Sequence, residues 1–391
     1  MLVLVVAAAG GALAIRSATG GGDAQAGHSS PGPTANASSG GRPADGRTKR
    51  APESVKLTVE ASGDLLIHSP VWEEALSLGG GDSYDFAPLF SQIRPYVSRA
   101  DLALCHVETP MTPAPPTSYP IFNTPPALAQ GIAATGWDAC DTASNHSLDQ
   151  GQSGIDDTGK ALDAAHVEHT GSFASAEASS KPLVLKARGV KVAFLAYTTD
   201  TNGIPAPNPW SVALASPDRI LADAREAKKD GADAVIVNLH WGGGIVPEYQ
   251  AEPSAGQLDL VKKLTASPLV TAIVGQGPHA VQPTWKVNGK WVVFSEGNLV
   301  SNQSPEAGLP AASQDGMVAL LHLTVTDRGA RVDRVSYVPV WVRHPDYTVL
   351  PIGPALAEDE ADSAALRASY QRTVSVVGKG DGKEPIPQKL P

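Results

Sequence analysis

The sequence is short of charge, of cysteine and of basic residues relative to acidic ones. Only 18% of its 391 residues are charged, and the formal net charge is −10. An acidic balance disfavours a phosphate backbone as partner, so no nucleic acid is expected. It leaves room for an anionic substrate, because a bound metal ion inverts the local field. The two cysteines are Cys105 and Cys140. An exported chain could pair them, but both sit in apolar strand-like runs and two buried thiols fit as well. No internal stretch is long and apolar enough to span a membrane, and there is no internal repeat. The Gly242–Gly244 run is no phosphate loop, because it lacks the Lys and Ser/Thr of a Walker motif.

Turn formers are abundant: 38 Gly and 33 Pro. With the low charge they suit a secreted α/β protein with long loops, and the length allows a full core. The chain opens MLVLVVAAAGGALAI. This apolar run of about fourteen residues falls short of the roughly 20 that a transmembrane helix needs. No basic region precedes it, so it is expected to be the tail of a signal or anchor helix that starts upstream, and residues 1–16 are assigned to it. No Cys follows it to accept a lipid. Residues 17–54 are a Gly/Ser/Ala/Pro linker that cannot bury a core. Its Arg42, Arg47, Lys49 and Arg50 read as a solvated tether, or as a contact for an acidic wall polymer.

From Val55 the pattern changes. Strand-like runs (VKLTVEAS, LALCHVE, WDACDTAS, KVAFLAYT, ADAVIVNLH, LVTAIVG, WVVFSEG) alternate with helix-like ones (IDDTGKALDAAH, DRILADAREAKKDG, AGQLDLVKKLTA). That alternation specifies an α/β fold, a sheet covered by helices. MVALLHLTVTD and ARVDRVSYVPVWV form a hairpin turned at Asp327, Arg328 and Gly329. The main domain is assigned to 55–345, with a C-terminal helix and tail over 346–391. The charges of DRILADAREAKKDG fall at helical spacing and read as a solvated face.

In open α/β sheets ligands bind beyond the carboxyl ends of strands. The ends of these runs deliver Asp64 with His68, His106 with Glu108, Asn145 with His146, His240, His279, and Glu296 with Asn298. Singly, each reads as a turn or core residue. Together they would converge on one face of one sheet. Mixed oxygen and nitrogen donors suit Mn, Fe, Zn or Mg. Asn145 would give a metal a neutral amide oxygen, leaving His146 free as a proton donor. Asp149 is placed to orient His146 through its ring N–H, or else to cap the helix starting near Ser153. Trp241 could line a substrate groove or pack the Gly-rich loop onto the core. The Pro-rich TPMTPAPPTSYPIFNTPPAL reads as a rim or a spacer.

The runs GDLLIHSP, ADLALCHVETPM, TASNHSLDQGQSGIDDT, VIVNLHWG, VGQGPHAVQP and FSEGN follow one another over residues 56 to 303. In that order they resemble the motifs of CapA-like poly-γ-glutamate capsule biosynthesis proteins, roughly GD-x-x-x-H, N-L-E-T, N-N-H-x-x-D-x-G-x-x-G, H-W-G, H-P-H and S-x-G-N. That family is related to calcineurin-like metallophosphoesterases. The resemblance implies two sheets packed face to face with helices outside (α/β/β/α) and a site for one or two divalent ions. It implies Asp64, Glu108, Asn145, His240 and His279 as ligands and His146 as general acid, with His68 a ligand or a substrate contact. It further implies an extracytoplasmic, membrane-associated protein acting on poly-γ-glutamate or a wall polymer. His106, Trp241, Gln276 and Asn298 are expected beside the substrate.

The chain departs from the motifs at named places. His106 and Ser144 each replace an Asn, Glu296 replaces a Leu, and Gly277 replaces the first His of His-Pro-His. Gly277 has no ligand to give, and Gln276 or His106 is the expected compensation. Two functions follow from these expectations. One is a metal-dependent hydrolase using a metal-activated water. The other is a non-catalytic polymer-binding or assembly component beside a membrane-bound capsule synthase.

Overall fold

The computed structural model describes residues 54–357, 362–378 and the backbone of 386–387. The expected signal or anchor segment and nearly all of the expected linker lie outside them. Among the described residues no helix is long and apolar enough to cross a membrane. The strands in chain order are β1 (Val55–Leu65), β2 (Leu102–Val107), β3 (Ala139–Asp141), β4 (Glu168–Thr170), β5 (Leu183–Ala187), β6 (Val190–Thr198), β7 (Ala234–His240) and β8 (Ala272–Gln276). There follow β9 (Thr284–Val287), β10 (Lys290–Val293), β11 (Asn298–Val300), β12 (Asp315–Thr326), β13 (Gly329–Val342), β14 (Val349–Pro351) and β15 (Ile386–Pro387).

They form two sheets. A nine-stranded sheet runs β14-β13-β12-β1-β2-β3-β4, with β11 on β1 and β15 on β13. A six-stranded sheet runs β5-β6-β7-β8-β10-β9. The expected hairpin is present, with Thr326 opposite Gly329, so Gly329 opens β13 instead of turning the chain.

Strand alternation explains the layering. In β6, Val192 and Phe194 enter the core between the sheets, while Ala193, Leu195 and Tyr197 enter an outer core. That outer core is closed by the helices Pro217–Lys229 and Ala255–Ala266. The first helix buries Ile220, Ala224 and Ala227 at helical spacing and turns its charges outward, as expected. The second starts with a capping box between Ser254 and Gln257. On the far side of the nine-stranded sheet, Ala103, Cys105 and Val107 meet the helices Ser69–Leu78, Leu128–Thr135 and Gly151–Ala164. The result is the α/β/β/α sandwich expected.

Cys105 and Cys140 are joined as a disulfide between neighbouring β2 and β3, directly opposite in register. The described helix Ser363–Val377 lies against β12 and β13, where Arg372 grips Asp315 through two hydrogen bonds of 2.7 and 2.8 Å.

Candidate metal centre

The inward faces of the strands change character along their length. Along β2 and just beyond it, Leu102, Leu104, His106 and Glu108 follow one another at a spacing of two. β7 does the same with Ala234, Ile236, Asn238 and His240, and β8 with Ala272, Val274 and Gln276. The N-terminal members pack in the core between the sheets. The polar members gather at the carboxyl ends, still between the two sheets.

Asp64 reaches this place through an irregularity. The pairing of β1 with β2 shifts between Ala61 and Asp64. The chain before Asp64 also runs against the segment after β10, and a Cβ on Gly63 would lie 1.9 Å from the Gly297 carbonyl oxygen. Only glycine allows that approach. The Asp64 N–H then donates to the same carbonyl at 3.0 Å.

Around Asp64 two groups of donor atoms converge. Its Oδ1 lies 3.6 Å from His106 Nε2 and 3.6 Å from His240 Nδ1. Its Oδ2 lies 3.3 Å from His279 Nδ1, and His279 Nε2 lies 3.7 Å from Glu108 Oε1. Asp64, His106 and His240 form one set, and Asp64, Glu108 and His279 the other, each within 4.8 Å. Asp64 Oδ1, His106 Nε2, His240 Nδ1 and both Glu108 oxygens are buried without a hydrogen-bond partner. Buried polar atoms are ordinarily paired, and leaving them unpaired is costly. A cation bound among them removes that cost, so the residues fit divalent metal ions.

Neighbours fix each ring. A carboxylate or amide oxygen only accepts, so the imidazole nitrogen facing it carries the proton. His106 Nδ1–H donates to Asp141 Oδ2 at 3.0 Å. His240 Nε2–H donates to Asn145 Oδ1 at 3.0 Å. His279 Nδ1–H donates to Asn298 Oδ1 at 2.9 Å. Such outer partners aim the other nitrogen and raise its basicity. His279 adopts φ +52°, a conformation uncommon outside glycine and asparagine.

The electrostatics favour positive charge at the centre. Burial and then the nearby Asp64 push Glu108 up to about 7. Burial alone would lower His279, but Glu108 and Asp64 outweigh it and raise the ring to about 10. For His106 burial is likewise outweighed, first by Asp141, and the pKa is raised. For His240 burial comes first and the other imidazoles add to it, lowering the ring well below the usual range even with Asp64 Oδ1 at 3.6 Å.

Beside the centre, His146 Nδ1–H donates to Asp149 Oδ2 at 2.8 Å. The same oxygen accepts the Phe122 N–H at 2.7 Å, and the Phe122 ring meets His146 edge-on at 4.7 Å. Asp149 therefore orients His146, while the helix begins at Gly151 with Gln150 before it. Phe122 also meets His68 at 5.2 Å, so the Pro-rich stretch forms a rim here. Burial pushes His68 down to about 4 and keeps it neutral.

Several expectations are corrected. Trp241 does not line a groove: it is 1% exposed and its indole N–H donates to the Phe294 carbonyl at 2.7 Å in the outer core. Gln276 faces no substrate, because its amide is held by Asn238 and Glu296. Asn298 is fully buried and serves His279, its own N–H groups going to Gln303 and Ser313. His106, expected beside substrate, instead offers Nε2 to a donor set. Asn145, expected as a ligand, accepts from His240 Nε2, while the Nδ1 of that ring faces Asp64. His68 belongs to neither donor set. Asp141 and Asn238 were missed, although Asn238 precedes His240 by two residues on the same strand face.

Comparison with known proteins gives the chain a context. A model of the family described as bacterial capsule synthesis protein PGA_cap matches residues 58–303. Capsule biosynthesis protein CapA of Bacillus anthracis is 28% identical over 264 residues, covering 64% of this chain and 61% of that one. PGA biosynthesis protein CapA of Bacillus subtilis (strain 168) is 31% identical over 166 residues, covering 41% and 42%. The matched part thus spans less than two thirds of either relative. Among solved structures, the calcineurin-like phosphoesterase YfkN from Bacillus subtilis overlays with a TM-score of 0.44 at 15% identity, covering 82% of this chain and 97% of that one.

Proposed function

The chain belongs to the bacterial capsule synthesis protein PGA_cap family, and from that premise we propose that it is an extracytoplasmic, metal-dependent hydrolase of an anionic capsule or cell-wall polymer. The observation that carries this reading is the set of partnerless buried atoms on Asp64, His106, Glu108 and His240. Asp64, His106 and His240 would hold one divalent ion, and Asp64, Glu108 and His279 another, with Asp64 shared. The mixed donors suit Mn, Fe, Zn or Mg. Lewis acidity toward the scissile bond and an attacking water is the chemistry such ions supply.

The chain's own residues do the rest. With Nδ1 committed to Asp149, His146 keeps Nε2 to hand a proton to the leaving group. Asp149 fixes that tautomer and, through the Phe122 N–H, ties the rim to it. Phe122 stands between His146 and His68 and shields the proton donor from bulk water on that side. The motif resemblance, beside relatives named for capsule and PGA biosynthesis, makes poly-γ-glutamate the first polymer to test. The Cys105–Cys140 disulfide supports an oxidising, extracytoplasmic setting. Residues 1–16 would then act as signal or membrane tether, residues 17–54 as linker, and a capsule synthase as neighbour.

One observation favours a second reading. The relatives are named for biosynthesis, not for a reaction, which suits a polymer-binding or assembly component without turnover. His146→Ala separates the two. The assay is chain shortening of poly-γ-glutamate, with release of p-nitrophenol from an aryl phosphodiester alongside, in the presence of Mn2+. The hydrolase reading expects turnover to fall about 10²–10⁴-fold with metal content unchanged. Absence of turnover in the wild type, with polymer affinity untouched by the substitution, supports assembly instead.

A further inference from the structure

Two departures from the family motifs, His106 and Glu296, lie far apart in sequence yet terminate one line of buried side chains. Asp141 Oδ2 accepts from His106 Nδ1 at 3.0 Å and also from Asn238 Nδ2. Its Oδ1 takes the Ala143 N–H at 2.6 Å. Asn238 and Gln276 exchange hydrogen bonds in both directions, at 2.7 and 3.1 Å. Gln276 Nε2 then donates to Glu296 Oε2 at 2.9 Å. Every member is at most 2% exposed. The line crosses between the sheets, from β2 and β3 to β7, β8 and the segment after β10.

Its polarity is set from the Asp141 end; burial holds Glu296 well above the usual carboxylate range, and its Oε2 accepts at the other end. Asp141 must accept, so Asn238 turns its NH2 toward it. The Asn238 oxygen then faces Gln276, which must answer with NH2. The Gln276 oxygen takes the remaining Asn238 N–H, and its second N–H is left needing an acceptor. Glu296 is that acceptor. A leucine there would leave a buried N–H of Gln276 unanswered and the amide pair free to turn.

We infer that Glu296 is a positioning residue for the metal centre: through Gln276, Asn238 and Asp141 it holds His106 Nε2 toward Asp64. On this account the imidazole missing at Gly277 has been supplied from β2, and a support for it has been built into the seam between the sheets. The inference rests on the reading of the centre as a metal site. It concerns the ion held by Asp64, His106 and His240, and leaves the ion at Glu108 and His279 alone.

The test titrates the full-length protein, stripped with chelator, with Co2+, reading bound equivalents by calorimetry and ligand geometry from the visible d–d bands. His106→Ala identifies the ion that depends on that imidazole. Glu296→Leu is expected to weaken the same ion by about tenfold or more, the scale on which outer partners act on metal affinity. The other ion should bind as before, and the unfolding midpoint of the stripped protein should not drop in parallel. Glu296→Gln keeps an acceptor oxygen and is expected to restore wild-type binding. If Glu296→Leu does not fold, Gln276→Leu breaks the adjacent link with the same expected readout. Two ions in the wild type, both unchanged in Glu296→Leu, overturn the inference and leave the metal centre standing. Loss of the Glu108–His279 ion instead also overturns it. A wild type that takes up no Co2+ overturns the metal reading and the inference with it.

Discussion

Gly277 sits at φ +105°, and a Cβ built on it would lie 2.5 Å from the Trp241 carbonyl oxygen and 2.8 Å from the Trp241 nitrogen. The position is closed to any side chain by backbone on the adjacent strand end. Restoring the family's histidine here is therefore not a repair. Gly277→His combines left-handed backbone strain with overpacking, each worth roughly 1–3 kcal/mol. It is expected to destabilise the protein by about 2–5 kcal/mol in urea unfolding and to add no metal equivalent. A variant that unfolds like wild type and binds an extra ion would show that the Trp241 segment can move aside. The sequence displayed the missing ligand plainly and named His106 as one way to compensate. It could not choose between His106 and Gln276, because the choice depends on which side chain is already engaged. Gln276 is held on both its amide atoms, and His106 has one nitrogen free.

At the scale of elements, the legible features were those with long, regular patterns. The strands that carry or end shortly before Asp64, Glu108, His240 and His279, the amphipathic helix Pro217–Lys229 and the long hairpin were all visible. Short strands such as β4, β9, β11 and β14 were not read, since three or four residues carry too little periodicity. Trp241 was misplaced for a related reason. It follows His240 on the opposite strand face, so its side chain goes to the outer core when that of His240 goes to the site. The disulfide shows the same logic on β2 and β3. Cys105 and Cys140 face the outer helices, one residue before His106 and Asp141, which face inward as a pair. The bridge closes a loop of 35 residues in sequence separation. Chain entropy for such a loop amounts to about 3–4 kcal/mol. Replacing both cysteines by alanine is expected to lower the unfolding free energy by about that much. Reductant should reproduce the loss only after unfolding, because both sulfur positions are buried. Equal midpoints in urea for the paired and the alanine protein would remove the bridge from the stabilising interactions of this strand pair.

At the scale of the molecule, the donor atoms come from both sheets. Asp64, His106 and Glu108 belong to β1, β2 and the residue just beyond β2 in the nine-stranded sheet, while His240 ends β7 and His279 follows β8 of the six-stranded one. Below them the sheets meet through apolar side chains, but at this end the seam holds carboxylates and imidazoles with partnerless atoms. No pattern along one strand could reveal this. It arises only where two sheets close on each other, which is why the supporting Asp141 and Asn238 escaped the sequence. Ions bound here act as cross-links between the sheets. At a hundredfold excess over the dissociation constant each contributes about 2.7 kcal/mol to the folded state, so two contribute roughly 5 kcal/mol. Stripping the metal is therefore expected to lower the melting temperature by roughly 5–10 °C in scanning calorimetry. Re-addition should recover it in proportion to the sites present. Asp64→Ala, which removes the shared ligand, should abolish the metal-dependent shift altogether. His106→Ala should abolish about half of it, and His146→Ala none, because His146 belongs to neither donor set. A full shift persisting in Asp64→Ala would mean that the stabilising ions bind elsewhere, and the seam between the sheets would then have to be held by the protein's own hydrogen bonds.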